Sequence, residues 1–141
     1  MKTPIISVLV FLFLSSHIFG QSPVGIWQTV DDNNGDIRSE MELYLSDDGK
    51  LEGRVHKLMR EDAPITCDRC PGEKKDAPLI GMVIVWDLQK DGSKWEGGRI
   101  MDPENGKTYN CYIKLESQEK LKIRGYIGLA ALGRTQYWYR K

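Results

Sequence analysis

Apolar and polar residues alternate one by one through long stretches of this chain, and this alternation constrains its fold more than any other feature. From residue 37 to 45, apolar side chains fall mainly on odd positions and charged side chains on even positions. A similar period of two runs through residues 51–59, 109–115, 121–127 and 134–140. Because successive side chains of a β-strand point to opposite faces of the sheet, the pattern predicts strands with one buried and one wet face.

Three further segments complete the predicted set of strands. Residues 24–30 contain Trp27. Residues 79–86 form a continuous apolar run rich in β-branched residues, which is typical of a strand buried on both faces. Residues 95–101 are a weaker candidate because they contain Gly97 and Gly98.

The segments are separated by dipeptides that favour tight turns, because glycine readily adopts a positive φ. These dipeptides are Asn34-Gly35, Asp48-Gly49, Asp91-Gly92 and Asn105-Gly106. About eight short strands joined in this way predict an all-β fold, a single antiparallel up-and-down β-barrel. Closing the sheet into a barrel would also remove its free edges.

Gly25 and Trp27 open the first strand, and Arg134 and Arg140 bracket the last. In a closed barrel the first and last strands are neighbours, so an arginine of the last strand can stack over Trp27. We therefore expect these four residues to form a structural cap at one end of the barrel.

Residues 61–78 break the strand pattern and contain a close pair of cysteines. Loops of this length are often functional, although this one could equally be a surface loop pinned by a disulfide. We expect Cys67 and Cys70 to form that disulfide. A redox-active pair, or a zinc site completed by Cys111 and His56, are the alternatives. The apolar neighbours of Cys111 favour a buried, unreactive thiol.

Two polar stretches resemble functional motifs but are better explained as turns. Residues 102–107 contain Asp102 and Glu104, yet their Pro and Asn-Gly residues predict a turn, and a calcium loop needs more oxygen ligands. The glycine-rich stretch 125–134 precedes no predicted helix, so it does not match a phosphate-binding loop.

Aromatic residues are numerous, and we expect one or two of them to line a pocket. The candidate ligand-binding residues are Trp86, Tyr126, Arg124 and Arg134. If the protein is an enzyme, Asp102 with Arg124 and Arg134 is the best available polar cluster. The sequence identifies no catalytic residue, no metal site and no cofactor site.

Residues 1–20 have the pattern of a secretory signal peptide. Lys2 precedes an apolar run, and the small residue Gly20 precedes Gln21. This pattern predicts cleavage after Gly20, a single domain over residues 21–141, and export to the periplasm or the extracellular space, where cysteines tend to pair. The apolar run is short for a bilayer span, so we expect no membrane span once it is removed.

The charge balance limits the class of partner. The chain has 20 Lys and Arg residues against 20 Asp and Glu residues. A near-neutral chain gives no electrostatic basis for binding nucleic acid or an anionic membrane.

Several motifs follow one another in order through the predicted domain: Gly25-Ile-Trp27, Asp48-Gly-Lys-Leu-Glu-Gly53, Cys67-Asp-Arg-Cys70-Pro-Gly, Pro78-Leu-Ile-Gly81, Trp95-Glu-Gly-Gly98, Asp102-Pro-Glu-Asn-Gly-Lys-Thr-Tyr109, and Arg124-Gly-Tyr-Ile-Gly128 through Leu132-Gly-Arg-Thr-Gln136. Through these motifs the chain resembles the DUF2147 family of exported bacterial proteins. The resemblance implies a bacterial, exported protein and supplies no catalytic residues. Strand count and the Gly25-x-Trp27 motif separately invite comparison with lipocalin- and avidin-like binding proteins.

These observations predict an exported envelope protein that is a non-catalytic binding module. Its ligand would be a small apolar or amphipathic molecule in the barrel mouth, or an envelope partner at the long loop. The alternatives are an enzyme, and a structural or stress-related envelope module without a small ligand. A mouth lined by Trp and Tyr would favour the binding module, and convergent acids and bases would favour the enzyme.

Overall fold

The computed structural model of the protein describes residues 21–141, so the predicted signal peptide lies outside the described residues. The described chain forms eight antiparallel strands in one closed barrel, in which each strand pairs with the next and the last pairs with the first. The strands are β1 (Gly25–Val30), β2 (Ile37–Leu45), β3 (Leu51–Leu58), β4 (Val83–Asp91), β5 (Lys94–Asp102), β6 (Lys107–Leu115), β7 (Lys120–Tyr126) and β8 (Gly133–Arg140). The predicted up-and-down barrel is confirmed.

The tight turns lie where the glycine dipeptides predict them. Gly35, Gly49, Gly92 and Gly106 all have φ between 59° and 78°. One short 3-10 helix, Gly72–Lys74, lies in the long connection between β3 and β4. Among residues 21–141, no helix is both long enough and apolar enough to cross a bilayer.

The weakest predicted strand, β5, is a full member of the barrel because glycine permits a close approach to β4. A Cβ at Gly98 would overlap the carbonyl oxygen of Trp86. Gly97 has a φ of 79°, and the pairing of β5 with β6 shifts register between Trp95 and Gly98. The glycines that weaken the sequence signal are therefore what allows this part of the barrel to form.

The alternating strand directions place the connections at two ends of the barrel. Residues 21–24 and the β2–β3, β4–β5 and β6–β7 turns form one end, which we call the closed end. Residues 31–36, 59–82, 103–106 and 127–132 form the other, which we call the open end.

Large side chains fill the barrel interior near the closed end. The fully buried residues there include Trp27, Leu43, Leu51, Leu88, Ile113 and Leu121. Cys111 belongs to the same core and is a free cysteine. Burial raises the pKa of the Cys111 thiol to about 12, so the thiol is unreactive at neutral pH.

Trp27 seals the closed end together with Arg140. The indole Nε1 of Trp27 donates to the carbonyl oxygen of Pro23 at 2.7 Å, and the Arg140 guanidinium lies 4.3 Å from the centre of the Trp27 ring. Gly25 leaves room for this stack, because a Cβ there would lie 2.8 Å from Arg140 Nη1.

Arg134 takes no part in this cap, contrary to the prediction. It lies six positions before Arg140 on β8, or about 20 Å along the extended chain, and so at the open end. There its guanidinium pairs with Asp32.

The alternation in β8 suggests that Tyr137 and Tyr139 face the barrel interior, but the structure places the opposite face of the strand inward. Gln136 and Trp138 face the interior, whereas Tyr137 and Tyr139 are exposed. Some apolar residues of the alternating stretches, such as Ile37, Leu45 and Met59, are also exposed, because they lie at or beyond strand ends.

Candidate functional site

The barrel is hollow near the open end. A cavity of about 790 Å³ opens between the open-end connections. Its walls are largely apolar and include Met41, Val55, Leu58, Ile84, Ile100, Met101, Ile123 and Trp138. Small-molecule sites in proteins are typically concave, mostly apolar and about 300–1,000 Å³ in volume, so the cavity has the size and chemistry of a ligand site.

Small residues at inward positions create this space. Gly125 lines the cavity, and a Cβ there would make only ordinary contacts, 3.6 Å from Ile100 Cγ2 and 3.8 Å from Tyr109 Cβ. Thr29 and Ser39 also line it, and their hydroxyl oxygens lie 2.7 Å apart. The closed end carries large aliphatic and aromatic residues at its inward positions instead. The barrel interior is therefore packed at the closed end and hollow at the open end.

Three inward residues of β8 form a polarity gradient from rim to floor. Arg134 lies at the mouth, Gln136 in the middle and Trp138 at the deepest point, over about 13 Å of strand. The indole Nε1 of Trp138 is buried and has no hydrogen-bond partner within residues 21–141, the one such side-chain nitrogen or oxygen found there. A buried donor without a partner is costly, so this N–H is a natural contact for a ligand acceptor.

Ion pairs surround the mouth. Arg38 pairs with Glu104 and lies 3.8 Å from an Asp31 oxygen. Arg134 pairs with Asp32, and Arg60 pairs with Asp62 at 2.7 Å. Positive and negative side chains therefore compensate each other at the rim, which gives the mouth no strong preference for a charged ligand.

The long β3–β4 connection covers one side of the mouth and is held by a disulfide. Cys67 and Cys70 are bonded to each other and buried, so the predicted disulfide is confirmed. The Cys67 sulfur lies 3.4 Å from the carbonyl oxygen of Pro103. A Cβ at Gly106 would overlap the carbonyl oxygen of Arg69, so the disulfide loop rests directly on the β5–β6 turn.

This arrangement argues against the zinc alternative. The disulfide occupies two of the sulfurs that such a site would need. Cys111 is buried in the core, whereas His56 is exposed on the outer face of β3.

Comparison with known proteins gives the family and agrees on the fold. A family model described as an uncharacterized protein conserved in bacteria (DUF2147) matches residues 25–140. The chain belongs to the DUF2147 family. Among solved structures, the protein HP1028 from the human pathogen Helicobacter pylori, described as belonging to the lipocalin family, is similar with a TM-score of 0.74 and 22% identity. The match covers 85% of this chain and 83% of that chain, and it shows a lipocalin-like barrel. The search of curated proteins found no match.

Two of the four candidate ligand-binding residues of this DUF2147 protein line the cavity, and two do not. Tyr126 and Arg134 lie in its wall at the mouth. Trp86 faces outward on β4, where Lys74 Nζ lies 4.8 Å from its ring centre. Arg124 also lies outside the barrel and donates hydrogen bonds to the β7–β8 connection. Trp86 and Arg124 point away because successive strand residues alternate between the two faces.

The polar cluster proposed for an enzyme is only partly assembled in the DUF2147 barrel, because Asp102 and Arg134 line the cavity and Arg124 does not. Asp102 lines the cavity, but its carboxylate accepts hydrogen bonds from the Glu104 N–H at 2.9 Å and Asn105 Nδ2 at 3.2 Å. These bonds belong to the predicted turn. Partial burial raises the pKa of Asp102, and the charges of Arg134 and Arg38 act against that shift. Arg124 lies on the opposite side of the barrel wall.

Sequence reasoning missed the residues that shape the DUF2147 cavity. Gln136 and Gly125 are not among the candidates, and Trp138 is only one of the numerous aromatic residues expected to supply a pocket, although all three line the cavity. One signal was present in the sequence, namely that Thr29, Ser39 and Gly125 are small residues on strands that otherwise carry large apolar ones.

Proposed function

We propose that this protein is an exported binding protein that holds a small molecule with an apolar body and a hydrogen-bond acceptor. The observation that carries the proposal is the half-filled barrel, in which a cavity of about 790 Å³ ends next to the buried, unpartnered indole of Trp138. A barrel needed only as a scaffold would gain stability by filling that volume with side chains.

The walls supply most of the affinity in this proposal. A ligand with about 25 non-hydrogen atoms, at about 0.3 kcal/mol per atom, would bind with about 7.5 kcal/mol. That corresponds to a dissociation constant of a few micromolar. The Trp138 N–H would orient the ligand, because an acceptor placed there pairs a donor that is otherwise unsatisfied.

Export fits the same proposal. The predicted signal peptide directs the chain out of the cytoplasm, and a disulfide within the mature domain suits an oxidising compartment. A closed barrel can shield an apolar molecule from water during transit through such a compartment.

A titration with a fluorescent probe tests the proposal. Dansylaminoundecanoic acid and its methyl ester combine an apolar chain with acceptor groups, and they differ in charge. We expect saturable binding of both at one site, because the ion-paired rim discriminates little by charge.

Three variants locate the bound probe. Gly125→Phe places a phenyl ring in the cavity and should weaken binding strongly while circular dichroism shows a retained barrel. Trp138→Phe keeps the ring but removes the donor, and it should weaken binding about 2- to 12-fold, the equivalent of one hydrogen bond. Trp86→Phe is the matched control outside the cavity and should bind as wild type. Absence of binding, or equal binding by folded Gly125→Phe, would reject the proposal.

A further inference from the structure

The β7–β8 connection presents an apolar tip beside the cavity mouth. Ile127, Leu129 and Leu132 are 71%, 71% and 73% exposed, and Ile65 on the neighbouring β3–β4 connection is 78% exposed. These are the most exposed large apolar residues described, and all of them lie at the open end. Residues 125–133 contain no charged side chain.

The backbone of this tip is partly paired: carbonyl oxygens of residues 129–131 accept hydrogen bonds, whereas the N–H groups of residues 127–131 have no partner among the described residues. Arg124 Nε and Nη2 donate to the carbonyl oxygens of Ala130 and Ala131 at 2.9 and 3.1 Å. The N–H of Leu132 donates to the carbonyl oxygen of Leu129 at 2.9 Å. Arg124 is itself held by Thr135, whose hydroxyl oxygen lies 2.8 Å from Nη1.

This partial pairing suits the tip to the interfacial layer of a bilayer rather than to its core. Unpaired backbone groups exclude a loop from the bilayer core, because there is no water there to satisfy them, so the free N–H groups of the tip would stay at the level that water and headgroups reach. Here the arginine at the base of the loop satisfies two carbonyls. A long cationic side chain at that level can remain among lipid headgroups while the aliphatic side chains lie deeper.

The tip is also continuous with the cavity. Ile127 and Leu132 belong both to the tip and to the cavity wall, so one apolar surface runs from the outside to the interior. The exposed residues of the tip are aliphatic, whereas hot spots of protein interfaces are enriched in Trp, Tyr and Arg. These properties favour lipid over a protein partner.

We propose that the open end docks on a lipid bilayer by inserting the 127–132 tip and Ile65. The cavity mouth then faces the apolar phase, where an amphipathic ligand can exchange between membrane and barrel. The exchange step rests on the proposed binding function, but docking does not. Because Arg38, Arg60 and Arg134 at the rim are already paired with acidic side chains, docking proceeds by apolar insertion and does not require anionic lipid.

Vesicle flotation tests docking directly. With phosphatidylcholine vesicles, wild-type protein should float at both low and high salt, because screening acts on charges and not on apolar insertion. Leu129→Asp and Ile65→Asp should each reduce partitioning at least about tenfold. Leu45→Asp is the matched control, since Leu45 is 50% exposed but lies at the closed end.

A site-specific probe gives a second readout. Cys111 is buried, so a cysteine introduced at an exposed position can be labelled selectively with an NBD fluorophore. The label on Leu129→Cys should shift to shorter wavelength with vesicles, and the label on Leu45→Cys should not. Leu129→Asp should still bind the dansyl probe in solution, because Leu129 does not line the cavity, and this separates failure of docking from failure of ligand binding.

Three results would overturn the proposal. The first is no flotation of the wild type with phosphatidylcholine. The second is binding to anionic vesicles alone that salt reverses. The third is self-association that Leu129→Asp abolishes, without vesicle binding, which would mean that the tip joins two copies of the chain.

Discussion

The stack of Arg140 on Trp27 should behave as one energetic unit that closes the barrel. Trp27 is fully buried, and truncation of such a residue to alanine typically costs about 3–5 kcal/mol. A domain of this kind has a total stability of about 5–15 kcal/mol. With a urea dependence of about 2 kcal/mol per molar, Trp27→Ala should lower the unfolding midpoint by about 2 M.

Arg140 should contribute less than Trp27, but in a specific way. Its guanidinium donates to the carbonyl oxygens of Ser22, Val24 and Gln118 at 2.9, 3.1 and 2.6 Å, besides stacking on the ring. A cation–π contact is worth about 0.5–2 kcal/mol. Arg140→Lys keeps the positive charge but removes the planar guanidinium with its several donors. It should therefore be more stable than Arg140→Ala and less stable than wild type.

A double-mutant cycle followed by circular dichroism isolates the contact. Trp27 and Arg140 should show a coupling of about 0.5–2 kcal/mol, whereas Trp27 and Arg134 should be additive within about 0.3–0.5 kcal/mol. Arg134 is the natural control because it lies on the same strand at the opposite end. A Trp27→Ala variant as stable as wild type, or equal coupling to both arginines, would refute this account of barrel closure.

Three smaller perturbations test other parts of the structure. Cys111 should react with iodoacetamide only on unfolding, because burial raises its pKa to about 12, and rapid labelling of folded protein would contradict that. Gly106 and Gly49 both have a positive φ, but only a Cβ at residue 106 would overlap a carbonyl oxygen of the disulfide loop. Gly106→Ala should therefore lower the melting temperature more than Gly49→Ala, and equal shifts would disprove the contact. A hydrogen bond from Lys141 lowers the pKa of the Glu40 carboxyl below its usual 4.5. The resulting stability is present above the unfolded pKa and is lost as pH falls through the folded one. Wild type should therefore lose more stability than Glu40→Gln between about pH 6 and about pH 3 in acid titrations, and parallel curves would show that the pair contributes nothing.

The topology could be predicted from local signals because each of them acts over a few residues. Glycine turns such as Asn34-Gly35 fix which strands are joined, and the period of two identifies the strands themselves. The strand count and the need to remove free edges predict closure, and closure in turn predicts an arginine of the last strand over Trp27, although the sequence cannot choose between Arg134 and Arg140. That choice depends on which end of β8 lies beside Trp27, and the alternation of apolar and polar residues carries no information about that.

The cavity could not be predicted, because it depends on what faces each inward position across the barrel. Gly125 leaves space only because Ile100 and Tyr109 do not fill it. Trp138 is a candidate donor only because nothing in the described fold accepts from its N–H. Which residues of a strand point into the barrel also changes when a single extra residue is inserted in that strand. On β4 an extra residue near Asp87, whose φ is 61°, shifts the inward position from 87 to Leu88.

Native mass spectrometry of the protein purified from the envelope of its own host tests the central claim most directly. The account predicts that wild type carries a small molecule of a few hundred daltons, bound one to one and released by organic solvent. Gly125→Phe, purified in the same way, should carry much less of it. A wild-type protein of bare polypeptide mass, or an identical adduct on folded Gly125→Phe, would contradict the claim that the hollow end of this barrel is a ligand site.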